Sequence, residues 1–318
     1  MRAPSRVTLR CVLFHHIADR DSTFTAGLGV RIGVDEFRSR IARLARRYQP
    51  VSLADVRSAV DGDDLPPRAM LVTFDDAYAS VSEHAASILE EFRVPSVFFV
   101  NGGLIDHREL NIDNLVAHTV AVAGEAALPR AVARVRPDMD GPTLPRVLGE
   151  LLPTLPLAEV DALRDALTGQ LDHDPNARAR DEGLYLTAAM LRSLPASMAI
   201  GSHTRSHVRC RVLDADELVT QIDGNRRLLA DLVDGPVDAF SVPYGSAADF
   251  PRRVEAAVEA AGHDLSFLVE GRLNHGALAP RRIVRVSQAT GSPTWSLLQI
   301  EVLPRLRRAR DLVRGIGS

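Results

Sequence analysis

A chain of 318 residues, 46% of them hydrophobic, can bury a large core and suits one big α/β domain or two ordinary ones. A formal charge of −3 and a pI near 6.4 leave no electrostatic footprint for nucleic acid, and aromatics at 5% offer few stacking platforms. Cys11 and Cys210 are far apart and form no CxxC, so they read as buried reduced thiols rather than a redox motif or a disulfide.

Along the chain, Arg2, Arg6 and Arg10 precede the apolar run Cys11-Val12-Leu13-Phe14, which is too short for a signal-peptide core. No segment approaches ~18 uninterrupted apolar residues, so a cytoplasmic protein without a transmembrane segment is expected. Arg10 to Phe14 reads as a short buried strand. Asp35 is placed to cap a helix whose Phe37, Ile41, Leu44 and Tyr48 share one face. The Pro/Asp/Gly-rich stretch Asp61 to Pro67 leads to a strand at Ala69–Phe74, a helix bearing Val81, Ile88 and Phe92, and a strand at Val94–Val100. Strand, helix and strand with short connections predict a βαβ unit and a parallel sheet.

The stretch from about 104 to 183 differs. It is helical in pattern, broken by six prolines from Pro129 to Pro156, and has no convincing strand. It reads as an insertion forming a lid or side wall within one domain spanning 1–318. The alternation then resumes. A short strand at Met198–Ile200 precedes a helix with Asp214 and Glu217 as its capping box. A strand at Val237–Val242 leads to a helix opened by Pro251 and stopped by Gly262, then to strands at Leu265–Val269 and Arg282–Val286. A helical extension over about 291–318 carries the basic run Leu306–Arg314, either a solvated helix or one lying on a membrane surface.

The chemistry concentrates at two strand ends. Leu71-Val72-Thr73-Phe74-Asp75-Asp76 ends an apolar strand on paired carboxylates, and Gly201-Ser202-His203-Thr204-Arg205-Ser206-His207 puts two histidines four apart after another. Alone, HxxxH is weak, because histidines so spaced are often surface residues. On a helix or tight helical turn they share a face and reach one ion. An aspartate after a strand commonly caps the next helix, but two adjacent buried carboxylates repel, and a cation relieves that. Together they outline a metal-assisted hydrolase, with Asp76, His203 and His207 holding one divalent metal and Asp75 free to act on water.

Thr73-Phe74-Asp75-Asp76, then the His203/His207 motif, then Phe240-Ser241-Val242-Pro243-Tyr244-Gly245, in that order, resemble the polysaccharide deacetylase family (the NodB homology domain). Leu13-Phe14-His15-His16-Ile17 is similar to the Tyr-His-x-Ile opening of many bacterial members. The resemblance covers roughly residues 10–103 and 184–290. It implies a distorted (β/α) barrel with its site at the C-terminal strand ends, and a metal, usually zinc, on Asp76, His203 and His207. Asp75 matches the general base that deprotonates the attacking water, and the backbone N–H of Tyr244 matches a donor to the oxyanion. The implied reaction removes N-acetyl groups from an amino sugar, oligosaccharide or polysaccharide.

Two departures stand out. Many members carry an arginine that orients the catalytic acid where this chain has Ser241. Many also carry a late Leu-x-His motif supplying the general acid, and no clear copy follows Arg282. By the resemblance His15 takes over that role. A buried histidine with a structural hydrogen bond is the other reading, and His275 on a loop is the rival acid. A missing acid costs on the order of 10²–10⁴ in rate, which changes efficiency more than reaction type. A hydrolase acting on a non-sugar amide and a retired carbohydrate-binding module remain open as alternatives. The particular sugar and the oligomeric state leave no mark in the sequence.

Overall fold

The computed structural model describes residues 8–288. The C-terminal extension and its basic run lie outside the described residues, as do Arg2 and Arg6. Seven parallel strands close on themselves: β1 (Thr8–Phe14), β2 (Ala69–Phe74), β3 (Ser96–Val100), β4 (Met198–Ser202), β5 (Ala239–Ser241), β6 (Leu265–Val269) and β7 (Ile283–Ser287). Each pairs with the next, and β1 closes the ring by pairing β2 from Leu9↔Ala69 to Phe14↔Phe74 on one side and β7 at Cys11↔Arg285 on the other. Two short pieces extend the ring. Gln49–Pro50 lies parallel to β2, and Asn274–His275 lies antiparallel to the start of β1.

Alternation of side chains along each strand explains how one ring holds two kinds of core. Leu9, Cys11, Leu71, Val97, Phe99, Phe267 and Ile283 form one buried cluster inside the ring. Their neighbours Val12, Phe14, Val72, Phe74, Phe98 and Val100 point outward into the cluster made with the helices. The same parity, continued up β2 and β7, sends Thr73, Asp75 and Arg285 inward.

The helical stretch between β3 and β4 contains helices at Ile112–Ala123, Leu128–Val132, Leu157–Thr168 and Pro175–Asp181, with no strand among its described residues. Leu115, Leu128, Leu163 and Leu167 join Phe74 and Phe98 in one continuous buried cluster, so this stretch is packed onto the barrel through the barrel's own outer core. Among the described residues, no helix is long and apolar enough to cross a membrane.

One cap differs from expectation. The helix Val34–Arg47 has Gly33, not Asp35, at its N-cap, and Asp35 sits in the first turn. The capping acceptor comes from elsewhere in the chain: Asp19 Oδ1 takes the Val34 N–H at 2.9 Å. The Asp214/Glu217 capping box is present. Cys11 and Cys210 are free and buried.

Candidate metal and catalytic site

The site is built where strands end. β1 hands on to His15, β2 to Asp75 and Asp76, β4 to His203, and β5 to the turn holding Tyr244. Backbone pairing continues one step past the strands and fixes their ends. The Asp75 N–H donates to the Phe14 carbonyl at 3.2 Å, and the His203 N–H donates to the Val100 carbonyl at 3.1 Å. Asp76 then turns to φ +77° and Ala77 to φ +56°. A left-handed backbone costs a non-glycine residue about 1–3 kcal/mol, and such strain gathers at functional sites. The turn breaks the strand alternation, so the two neighbouring carboxylates reach different partners.

Asp76 Oδ1 lies 3.4 Å from His203 Nε2 and 3.3 Å from His207 Nε2. One ligand atom from each of these three buried residues falls within 4.8 Å of the others. Asp76 Oδ1 is buried without a hydrogen-bond partner, an orphan of the kind a cation satisfies. The donor set, two imidazole nitrogens and one carboxylate oxygen, suits zinc or a similar divalent ion, and three protein ligands leave a coordination position open. The His203 ring is already oriented for ligation: its Nδ1–H donates to the Ser241 carbonyl at 2.8 Å, leaving Nε2 as the lone pair. The residues present therefore fit such an ion.

The two histidines do not meet across a helical turn, as their spacing predicts. Residues 203–207 form an irregular loop with Thr204 at φ +59° and His207 at φ +53°. Gln221 pins it, accepting the Arg205 N–H on its backbone oxygen at 2.9 Å and the Ser206 N–H on Oε1 at 3.0 Å. Asn101 holds it from the other side, donating to the carbonyls of His203 and Thr204. Gly103 owes its small size to this packing, because a Cβ there would sit 2.8 Å from the Arg205 carbonyl, whereas a Cβ on Gly102 would sit 2.5 Å from Asn225 Oδ1.

Asp75 lies inside the barrel, 3% exposed. Arg285, 0% exposed, grips it with Nη1 at 2.7 Å from Oδ1 and Nη2 at 2.8 Å from Oδ2. Ser241 Oγ donates to Asp75 Oδ2 at 3.2 Å and accepts from Arg285 Nη2 at 2.6 Å. Burial alone would raise the Asp75 pKa, but Arg285 first and His203 next hold it below the usual carboxylate range. Asp76 is likewise held low, with burial outweighed by His207 and His203.

His15 reaches the same place, with Nε2 4.0 Å from Asp76 Oδ2. Burial pushes its pKa down, against the pull of Asp76 and Asp75. His16 faces away, its Nδ1 2.9 Å from Ser80 Oγ. His275 pairs with Thr8 at the start of β1, the opposite end of the barrel from Asp75 and Asp76. Tyr244, at φ +62°, sends its hydroxyl to Asp113, 3.2 Å from each carboxylate oxygen, and its ring lies under the Arg209 guanidinium at 3.8 Å.

Sequence reasoning missed Arg285 and Asp113. Arg285 carries a legible signal, a lone charge at inward parity in Ile283-Val284-Arg285-Val286, since arginine is almost never fully buried unless paired. Asp113 carries none, because Asn111-Ile112-Asp113-Asn114 reads only as a helix start.

The polysaccharide deacetylase family model matches residues 62–127 and 140–266. The chain is 42% identical over 60 residues to the poly-β-1,6-N-acetyl-D-glucosamine N-deacetylase of Escherichia coli strain K12; that match covers 19% of this chain and only 9% of that protein. Among solved structures, the Streptococcus pyogenes deacetylase PplD, in complex with acetate, superposes with a TM-score of 0.61 at 14% identity, covering 93% of this chain and 100% of that one. IcaB from Ammonifex degensii gives a TM-score of 0.56 at 16% identity, covering 93% of this chain and 97% of that one. At such identities the two structures speak for the fold, a (β/α) barrel of this type. With the model covering more than half of the chain, the protein belongs to the polysaccharide deacetylase family.

Proposed function

We propose that this protein is a metal-dependent hydrolase that removes N-acetyl groups from the amino sugars of a polysaccharide or oligosaccharide. The observation that carries the reading is the convergence of Asp76, His203 and His207 around an orphaned carboxylate oxygen, with a second carboxylate, Asp75, held ionised beside them. Asp76, His203 and His207 would hold a divalent ion, zinc by their donor set, which when bound would supply positive charge to polarise the acetamide carbonyl and acidify water.

The chain's own groups account for the proton movements. Asp75 accepts a proton from the attacking water. The backbone N–H of Tyr244 donates to the developing oxyanion. His15 delivers a proton to the amine nitrogen as the C–N bond breaks, and acetate and a free amine leave. An apolar cavity of about 10 Å³ beside His207 and Tyr244, walled by residues including Ile112, Leu155 and Val212, has room for about one water-sized group. The Escherichia coli relative makes β-1,6-linked N-acetylglucosamine polymer a substrate to test alongside chitin-type oligosaccharides.

The deciding experiment measures bound metal and acetate release from both oligosaccharide types, with and without chelator. Chelator-sensitive release from either supports the reading. Metal bound tightly with no turnover on any acetamide refutes it in favour of a binding module, and turnover on cyclic amides alone refutes the sugar.

A further inference from the structure

We propose that Asp113 is a positioning residue that fixes the ring tautomer of His207 and thereby sets how tightly the site grips a divalent ion. This rests on the metal reading above. An imidazole that ligates through Nε2 must carry its proton on Nδ1, and that proton needs an acceptor when buried. For His203 the acceptor is the Ser241 carbonyl. For His207 no backbone carbonyl serves: its Nδ1 is buried without a hydrogen-bond partner, and Asp113 Oδ2 stands 3.6 Å away. A small side-chain movement shortens that gap to the ~2.8 Å of a charge-assisted hydrogen bond.

Asp113 is held ready for this. It sits in the first turn of the helix Ile112–Ala123, where Asn111 Oδ1 accepts its backbone N–H at 2.9 Å. The next residue anchors that turn: Asn114 Nδ2 donates to Tyr78 Oη at 3.0 Å and to the Phe24 carbonyl at 2.8 Å, and Asn114 Oδ1 accepts from Tyr185 Oη at 2.6 Å. The Tyr244 hydroxyl approaches both Asp113 oxygens from the opposite side. One carboxylate from the stretch between β3 and β4 therefore links a metal-ligand candidate on the loop after β4 to the turn after β5.

The test uses the full chain and zinc, with affinity measured by chelator competition and the His207 tautomer read by ¹⁵N NMR of the imidazole. Asp113→Ala should weaken zinc binding roughly 10–100-fold, the usual effect of removing a histidine's outer partner, and should shift the His207 nitrogens away from the Nδ1–H form. Asp113→Asn, which keeps an acceptor without the charge, should recover part of that loss. Arg205→Ala removes the exposed pair with Glu109 on the same loop and should leave zinc affinity unchanged, which separates ligand orientation from general loosening of the loop. His203→Ala serves as the control for the parent reading. If His203→Ala also binds zinc as tightly as the wild type, the metal site itself is wrong. If His203→Ala loses zinc while Asp113→Ala binds it with wild-type affinity, the role of Asp113 is refuted. Should Asp113→Ala fail to fold, wild-type affinity in Asp113→Asn refutes it equally.

Discussion

Arg285 and Asp75 meet inside the barrel as a two-pronged ion pair, with distances of 2.7 and 2.8 Å, on strands that do not neighbour each other. β1 lies between them, and both side chains point inward because each keeps the parity of its strand. The family resemblance places an orienting arginine at position 241. Here that position holds a serine whose hydroxyl bridges the arginine and the aspartate, and the guanidinium arrives from β7 instead. The small Ser241 leaves room for it. What reads in sequence as a lost residue is, in three dimensions, a charge supplied from another strand.

Removing Arg285 should therefore disable Asp75 without removing it. Burial is then opposed only by the pull of His203 and His15, and the Asp75 pKa should rise from its depressed position. The base must be ionised to work, so the acid limb of the kcat/KM profile should move to higher pH in Arg285→Ala, with a fall at neutral pH on the order of 10²–10⁴. Lysine lacks the planar fork and should restore only part of the rate. Breaking a buried pair also costs about 3–5 kcal/mol, so Tm must be followed alongside. Adding Ser241→Arg to Arg285→Ala should bring the limb back towards its original position. An unmoved acid limb in a folded Arg285→Ala protein would refute the assignment.

The parts of the fold that were legible owe it to local pattern. Strands β2 and β6 were read at their observed bounds because apolar runs end on sharp polar or glycine punctuation there. The Asp214/Glu217 box was legible because its hydrogen bonds are local. What escaped the reading depends on the chain coming back to itself. The cap of Val34–Arg47 comes from Asp19, fifteen residues before the N–H it accepts, and the loop at 203–207 is shaped by Gln221 and Asn101. Asp75, Asp76, His203 and His207 were visible because they cluster in two short motifs. Arg285 and Asp113 join them only through barrel closure and helix docking, which no spacing rule records.

Among the metal-ligand candidates, His203→Ala and His207→Ala should lose both bound metal and turnover, because two remaining ligands hold an ion poorly. Asp75→Asn should keep the metal and lose turnover by about 10²–10⁴. Metal content by mass spectrometry and acetate release separate the two classes. Near-normal turnover in Asp75→Asn would remove it as the base.

His15→Ala should keep its metal and fold while kcat falls, since His15 lies 4.0 Å from Asp76 without belonging to the three-ligand cluster. The loss should be smaller for substrates whose leaving amine needs less help from a proton. A rate independent of leaving-group basicity, and equal to wild type, would assign protonation to water.

Acid should loosen the fold through histidines that are buried neutral. His16 and His118 are pushed down to about 4 and His263 to about 3, each chiefly by burial, with Arg226 next for His263. A histidine whose folded pKa is depressed binds its proton more readily when unfolded. Its contribution is therefore complete above the unfolded value of 6.5 and is lost as pH falls, accumulating until the folded value is passed. The window for His263 thus runs from 6.5 down to about 3. His263 sits against Phe240, ring centroids 5.4 Å apart, so leucine can occupy its place without burying a new polar group. Thermal melts of the metal-free protein should show His263→Leu losing less Tm than wild type between pH 7 and pH 4. Comparing the two proteins cancels every other titrating group, including His207, whose raised pKa works in the opposite direction. Parallel Tm profiles for the two would show that His263 titrates alike in the folded and unfolded chain.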